Sequence, residues 1–248
     1  MKRFEGKVAM VTGGNSGIGL AAAKAFAREG AQVAVTGRDE GTLKNAEKEI
    51  GSGALAIRAD AARIADLDAA MAKVRDRFKR IDALFVNAGI GKFVPIAEVT
   101  EAMFDEIVTI NLKGAFFTVQ KALPLMARGS AVVLNASINA HTGLPGTTVY
   151  GATKAAVVNM AKTMSADLAE RGIRVNAVSP GPVETPIFGR AGISGDQSRQ
   201  TKEWLQNQTL VKRMGEPEEI AEAVLYLSSD VSSFVVGAEI VIDGGMTI

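Results

Sequence analysis

Short apolar runs alternate along the chain with longer amphipathic segments. Seven runs of four to six residues are rich in Val, Ile and Leu and show little alternation with polar positions, namely residues 7–11, 32–36, 55–58, 83–87, 131–136, 174–179 and 239–242. Uniformly apolar runs of this length are typical of strands that are buried on both faces of a parallel sheet.

The segments between these runs carry apolar residues at helical spacing. The predicted helices cover residues 18–29, 41–50, 64–78, 103–128, 152–171 and 217–229. This alternation predicts the α/β class, with a doubly wound, parallel, seven-stranded sheet that has helices on both faces. The length of 248 residues fits a single domain over residues 1–248 better than two small domains.

Residues 186–213 depart from this pattern and are named the lid segment below. They contain Gly189, Gly192 and Gly195 among many polar residues, which predicts a mobile loop with short helices. A long insertion of this kind often covers a binding site. Phe188 and Trp204 are therefore candidates either for covering a substrate or for anchoring the segment to the body of the protein.

Glycines are concentrated directly after the first predicted strand, in the sequence TGGNSGIG at residues 12–19. Gly13 permits a tight turn, Gly17 lets the backbone approach a pyrophosphate, and Gly19 lets helix and strand pack closely. The N–H groups of the following helix then face the anion. A strand–turn–helix context at the first βα turn favours a dinucleotide site over an ordinary flexible turn.

The residues that end the second predicted strand bear on the identity of the dinucleotide. An acidic residue at this point would bind the ribose 2′-hydroxyl of NAD, but the chain has Gly37 and Arg38 there. Gly37 has no carboxylate to repel a phosphate, and Arg38 can pair with one. The sequence thus favours NADP(H) over NAD(H). The alternative is that Arg38 is a solvated loop residue and that Asp39 serves NAD.

Composition narrows the chemistry further. The sequence has no Cys and one His, His141, which excludes disulfides, thiolate metal sites and multi-histidine clusters, so no metal is expected. Proton transfer then depends on Asp, Glu, Lys or one of two tyrosines, Tyr150 and Tyr226.

The formal net charge of +1 gives no reason to expect nucleic acid or a membrane as a partner, and no apolar run reaches the ~18 residues of a membrane span. We expect a cytoplasmic protein.

Tyr150 and Lys154 lie four residues apart at the start of a predicted helix, so they share one face. A lysine ammonium stabilises phenolate and would lower the pKa of Tyr150 from its reference value near ~10. Ser137 ends the fifth predicted strand and can meet Tyr150 in the ligand crevice. His141, four residues after Ser137, is either a substrate contact or an ordinary polar loop residue. In isolation, a Tyr-x-x-x-Lys pair could also be an exposed helix pair.

Together these motifs resemble the short-chain dehydrogenase/reductase family, in its single-domain Tyr-x-x-x-Lys form with a Rossmann fold, over essentially the whole chain. The similarity departs from the family pattern at Val86, where Asn is frequent, and at Ala136, where Ser is frequent. Neither change removes a catalytic group. The resemblance implies the catalytic residues Asn111, Ser137, Tyr150 and Lys154, and it implies cofactor contacts from Gly13, Asn15, Ser16, Gly17, Ile18, Gly19, Arg38, Asp60, Ala61, Asn87, Ala88, Gly89, Tyr150, Lys154, Pro180, Gly181, Val183 and Thr185.

What the resemblance implies is an oxidoreductase that interconverts a carbonyl and a secondary alcohol with NADP(H). Tyr150 would act as general acid/base, Ser137 would hydrogen-bond the substrate oxygen, Lys154 would bind the nicotinamide ribose, and Asn111 would hold a water chain. Asp60 would contact adenine and Ala61 would lend its backbone, although Asp60 could instead be a helix N-cap. Asn87 could equally be a turn residue.

Several alternatives stay open. An NAD(H)-preferring dehydrogenase and a nucleotide-sensing protein on the same fold are the other candidate functions. The substrate is expected to be a small molecule, but the catalytic motif does not distinguish a 3-oxoacyl thioester, a sugar, a steroid-like ketone or a small ketone. Specificity would reside in the lid segment and in the loops after the fourth and fifth strands.

The small residues Gly151, Ala152, Ala155 and Ala156, with the apolar last strand, resemble surfaces by which family members form homotetramers.

Overall fold

The computed structural model describes residues 2–51, 53–186 and 195–248. Within them, seven parallel strands form one sheet in the order β3-β2-β1-β4-β5-β6-β7. The predicted doubly wound sheet is confirmed, and no strand end differs from its predicted position by more than one residue. The strands are β1 (Val8–Thr12), β2 (Gln32–Gly37), β3 (Leu55–Arg58), β4 (Ala83–Val86), β5 (Ala131–Asn135), β6 (Arg174–Pro180) and β7 (Glu239–Ile242).

Helices cover both faces of this sheet. They are α1 (Gly17–Arg28), α2 (Glu40–Ile50), α3 (Ile64–Phe78), α4 (Glu101–Val108), α5 (Ala115–Ala122), α6 (Thr148–Leu168), α7 (Gly195–Gln208) and α8 (Pro217–Ser228). None of the helices described here combines the length and apolarity that crossing a bilayer requires.

Two apolar cores lie on opposite faces of the sheet. Residues of α3, α5 and α6, such as Val74, Val119 and Val157, pack on one face. Residues of α1, α2 and α8, such as Phe26, pack on the other face, where the rings of Phe4 and Phe26 meet edge to face at 4.9 Å. Strands buried on both faces explain why the apolar runs show so little polar alternation.

The continuous helix predicted over residues 103–128 is wrong in detail. After α4 the chain forms a π-helical turn, Thr109–Gly114, before α5, and Leu123–Leu125 then forms a 3-10 turn. Pro124 in that turn has no N–H to donate, which ends the α-helical pattern. The lid segment also differs from the prediction of short helices, because its described part contains the 14-residue helix α7.

The direction in which the chain winds reverses at β1, which lies between β2 and β4. Thr12 at the end of β1 is in register with Val86 at the end of β4. The loops that follow these two strands therefore begin side by side, and ligands of doubly wound sheets bind at such a reversal point.

Candidate active site

The glycine turn after β1 adopts the backbone that the sequence predicts. Gly13 and Gly17 have positive φ values of 64° and 51°, which L residues with a side chain rarely adopt. A Cβ at Gly19 would lie 2.3 Å from the Gly13 carbonyl oxygen and 2.5 Å from Asn87 Nδ2. Gly19 is therefore needed so that the first turn of α1 can pack directly against the loop.

Asn87 ties this turn to the end of β4. Its Nδ2 donates to the carbonyl oxygens of Thr12, at 3.0 Å, and Gly13, at 3.2 Å. The Thr12 hydroxyl oxygen accepts from the backbone N–H groups of Asn87 and Ala88. Asn87 and Ala88 thus hold the glycine turn in place, which agrees with the turn role considered for Asn87, and its cofactor contact stays a prediction.

Asn135 is a site residue that sequence reasoning did not single out. Its Nδ2 donates to Asn87 Oδ1 at 2.8 Å, and its backbone carbonyl accepts from Lys154 Nζ at 2.7 Å. Its own Oδ1 is buried and has no partner among the described residues. The available signal was a polar residue at the end of an otherwise apolar strand. Asn135 links the glycine turn to Lys154.

Asn111 lies in the π-helical turn and is buried. Its Oδ1 accepts from the Ile90 N–H at 2.8 Å, and its Nδ2 donates to the Ile90 carbonyl at 2.9 Å. A Cβ at Gly89 would lie 3.2 Å from Asn111 Oδ1 and 3.7 Å from Lys154 Nζ. Asn111 therefore fixes the loop after β4 against α6, and π turns of this kind are frequent at functional sites.

Ser137, Tyr150 and Lys154 are brought together at the carboxyl end of β5. Ser137 precedes the 3-10 turn Ile138–Ala140, and its Oγ accepts from the Asn139 N–H at 3.2 Å. Tyr150 and Lys154 occupy the first two turns of α6, and both are buried. Lys154 Nζ lies 5.5 Å from the centroid of the Tyr150 ring. The exposed helix pair considered from the sequence is therefore wrong.

Burial is the largest cause of the pKa shifts of both Tyr150 and Lys154. It raises the pKa of Tyr150 above its ordinary value, and a hydrogen bond with Ser137 opposes the rise only in part. It lowers the pKa of Lys154 to about 8. The net shift of the Tyr150 pKa is thus opposite in direction to the lowering expected from the sequence, because desolvation of the buried phenol is its largest cause.

A cavity of about 660 Å³ joins the glycine turn to these three residues. Phe93, Leu144, Pro145, Lys92 and Glu106 also line it, from loops and a helix whose individual residues the sequence could not single out. The predicted residues that line the cavity are Gly13, Asn15, Ser16, Gly17, Ile18, Arg38, Asn87, Ala88, Gly89, Ser137, Tyr150, Lys154, Pro180, Gly181, Val183, Thr185 and Trp204.

Five predicted residues lie outside the cavity lining, namely Gly19, Asp60, Ala61, Asn111 and His141. Asp60 is not the N-cap of α3, which is Arg63; its Oδ1 instead accepts from the Ala62 N–H at 3.0 Å. Gly114 packs against the Ala61 carbonyl.

His141 is exposed and its Nε2 lies 2.6 Å from Glu239 Oε1 on β7. The structure thus places it against the last strand rather than in the cavity. Phe188 falls outside the described residues.

Arg38 and Asp39, the two residues that follow β2, have different surroundings. Arg38 lines the cavity, whereas Asp39 is the N-cap of α2 and its carboxylate accepts from the Thr42 N–H at 2.7 Å. A Cβ at Gly37 would lie 2.6 Å from the side chain of Asn15, whose Nδ2 donates to the Thr42 hydroxyl. Close packing against Asn15 therefore accounts for glycine at position 37.

Comparisons with known proteins agree with this geometry. The family model described as enoyl-(acyl carrier protein) reductase matches residues 13–247. The chain is 38% identical to oxidoreductase asL5 of Sarocladium schorii, over 99% of this chain and 98% of that protein. It is 37% identical to the 3-oxoacyl-[acyl-carrier-protein] reductase FabG of Thermotoga maritima, over 99% of this chain and 100% of that protein.

A comparison with solved structures points to the same family as the sequence comparisons. A short-chain dehydrogenase/reductase from Brucella melitensis, described as a glucose/ribitol dehydrogenase, superposes with a TM-score of 0.93 at 36% identity, and the match covers the whole of both chains. The chain therefore belongs to the short-chain dehydrogenase/reductase family, whose members use NAD(P), and it is an oxidoreductase that acts on CH–OH donors or the corresponding carbonyls.

Proposed function

We propose that this enzyme reduces a carbonyl, or oxidises the corresponding secondary alcohol, with NADP(H), and that Tyr150 is its general acid/base. The observation that carries the proposal is the single cavity that has the glycine turn and Arg38 at its cofactor end and Ser137, Tyr150 and Lys154 in the same lining. A nucleotide-sensing protein would need the glycine turn and Arg38 to bind the cofactor. It would not need Ser137, Tyr150 and Lys154.

The described residues fit a dinucleotide. Gly13 and Gly17 leave backbone without side chains at the start of α1, where a helix N-terminus favours a pyrophosphate. Thr185, 3.2 Å from where a Cβ at Gly17 would stand, borders the same space. The unpartnered Oδ1 of Asn135, beside the carbonyl that holds Lys154, is the kind of acceptor that a bound polar ligand or an ordered water satisfies.

The chain's own groups divide the proton chemistry among them. When bound, the nicotinamide supplies or accepts the hydride. Tyr150 donates the proton from its hydroxyl to the carbonyl oxygen in reduction and takes it back in oxidation. Ser137 hydrogen-bonds the same oxygen, Lys154 holds the nicotinamide ribose, and Asn111 fixes the buried end of a route for protons to solvent. A raised Tyr150 pKa keeps the donor protonated at neutral pH, which suits reduction.

Arg38 tests the cofactor preference. Arg38→Leu should lower kcat/KM for NADPH by about 30-fold and change kcat/KM for NADH by less than about threefold, because only NADPH carries the phosphate that the guanidinium would bind. Initial rates with both cofactors measure this.

Arg58→Leu is the matched control for this change. Arg58 lies beside Gly37 in the sheet register, pairs with Glu40 at 3.2 Å and does not line the cavity. Arg58→Leu removes the same charge at the same edge of the sheet. It should leave the ratio of kcat/KM for NADPH to kcat/KM for NADH unchanged. A wild-type preference for NADH, or an equal loss with both cofactors in Arg38→Leu, would contradict the assignment.

We also propose a homotetramer. Its support is a set of apolar side chains left exposed on helices and beside the last strand, including Phe104, Phe116 and Phe234. Ala152 and Ala155 are exposed on α6, whereas Gly151 packs against the Asn139 carbonyl of its own chain and is unavailable to a partner. Multi-angle light scattering at micromolar concentration should give four times the mass of the chain, and a stable monomer would refute the proposal.

A further inference from the structure

The charges that line the cavity are few. Among the described lining residues, Arg38, Lys92 and Lys154 are cations, and Glu106 is the one acid. In the proposed function, Arg38 serves the cofactor phosphate and Lys154 serves the cofactor ribose. Lys92 is therefore the one lining cation in this set that a substrate anion could use.

Lys92 is already matched by an acid. Its ammonium contacts the carboxylate of Glu106, which projects from α4 into the same lining. A substrate carboxylate, sulfonate or phosphate that approached Lys92 would have to displace Glu106 or accept its repulsion. The two side chains are 35% and 43% exposed, so the pair stands at the open side of the cavity and presents the substrate with a dipole rather than a free positive charge.

Most of the described cations of the lid segment are also paired with acids. On the described part of that segment, three ion pairs tie the basic side chains to acids, namely Arg199 with Asp196, Lys202 with Glu184 and Arg213 with Glu219. Lys212 Nζ donates to the Asn207 carbonyl. Of the four described cations of this segment, three are therefore matched by an acid, and Lys212 is the exception.

One wall near Tyr150 is apolar, and the polar residues Ser137, Asn139 and Thr147 line the cavity beside it. The Phe93 ring meets the Tyr150 ring edge to face at 5.6 Å, and Leu144 and Pro145 continue the wall. Trp204 and Leu205 of α7 face the cavity from the lid segment. Apolar and aromatic side chains of this kind gain free energy by covering an uncharged hydrocarbon body.

We propose, building on the function proposed above, that the substrate is a neutral, largely apolar ketone or its secondary alcohol, and that the Lys92–Glu106 pair rejects anionic substrates. The carbonyl reaches Tyr150 and Ser137, the hydrocarbon body lies between Phe93 and Trp204, and the ion pair stands where an acidic substituent would lie.

Two ketones with the same ring and different charge test this inference. Methyl 4-oxocyclohexanecarboxylate is neutral, and 4-oxocyclohexanecarboxylate is its anionic counterpart. With NADPH, kcat/KM for the ester should exceed that for the carboxylate by at least about tenfold. Binding is measured separately with the Tyr150→Phe enzyme and NADPH through the emission of Trp204, the one tryptophan of the chain. The ester should change that emission at lower concentration than the carboxylate.

Charge variants assign the discrimination to the ion pair. Glu106→Gln frees Lys92, so the carboxylate-to-ester ratio of kcat/KM should rise by about tenfold. The double variant Lys92→Met with Glu106→Gln removes the freed cation, and the ratio should fall again. Glu49→Gln breaks the surface pair with Lys24, which does not line the cavity, and should leave the ratio at its wild-type value.

The outcomes separate the two proposals. If the carboxylate equals or exceeds the ester in both binding and turnover, the substrate class is wrong and the reductase function stands. If neither ketone changes Trp204 emission while NADPH binds, the substrate class is also wrong. If the ester binds more tightly than the carboxylate but neither is reduced, the proposed reaction fails while the assigned binding preference survives.

Discussion

Replacing Tyr150 by phenylalanine should lower kcat for ketone reduction by about 10³-fold, because the variant keeps the ring and loses the hydroxyl that we propose protonates the substrate oxygen. The Phe93 ring that packs against Tyr150 would still meet an aromatic ring, so the fold and the cavity should persist. Affinity for NADPH, measured by fluorescence titration, should stay within about threefold of the wild-type value.

Tyr226→Phe is the matched control, since the chain has two tyrosines. Tyr226 is 40% exposed on α8 and does not line the cavity, so this variant should retain wild-type rates. Retention of most of kcat in Tyr150→Phe, with normal NADPH binding, would show that another group supplies the proton.

The pH dependence of the wild-type enzyme reports on the same hydroxyl. Burial raises the pKa of Tyr150, so the protonated donor predominates throughout the neutral range. Reduction should therefore be nearly flat with pH there and decline as the pH rises through the Tyr150 pKa. Oxidation needs the deprotonated form and should increase over the same alkaline range. The residual activity of Tyr150→Phe should show neither trend.

The sequence predicted the sheet well because its signal is local. Val, Ile and Leu in short runs require burial on both faces, and that requirement alone placed the strand ends to within one residue. The meeting of Ser137, Tyr150 and Lys154 was also predictable, since Ser137 follows a strand and Tyr150 and Lys154 share a helix face. Parallel strands bring such positions to one edge of the sheet whatever the loops between them do.

What the sequence did not predict depends on contacts between distant segments. Lys92 and Glu106 come from a loop and from α4, and nothing local indicates that they would meet in the cavity wall. Asn135 acquires its role from Asn87 and Lys154, which lie 48 and 19 residues away along the chain. The direction of the Tyr150 pKa shift likewise follows from how deeply the phenol is buried, which spacing in the sequence cannot reveal.

Lys154→Met should weaken catalysis and stabilise the fold at the same time. Loss of the ammonium beside Tyr150 should lower kcat by about 10²-fold or more. The same ammonium is buried, and its pKa falls from 10.5 in its unburied state to about 8 in the folded protein. By linkage, this shift destabilises the native state by about 3 kcal/mol at pH 7, and loss of the bond to the Asn135 carbonyl offsets about 1 kcal/mol of the gain from removing the charge.

Because burial lowers the Lys154 pKa, the stability difference between wild type and Lys154→Met depends on pH. Below pH 8 both the folded and the unfolded wild-type chain hold the Lys154 proton, so the penalty for burying the charge is fully present. Between about pH 8 and 10.5 the folded state releases the proton first, and wild-type stability rises relative to that of the variant. Urea unfolding should therefore show Lys154→Met to be more stable by about 2 kcal/mol at pH 7, with a Tm higher by about 5 °C, and the difference should reach zero at about pH 10 and change sign above it. Lys162→Met, on an exposed position of the same helix, should show no such trend. A variant that is less stable than wild type at pH 7, or a difference that is constant with pH, would mean that the charge of Lys154 is already compensated within the fold.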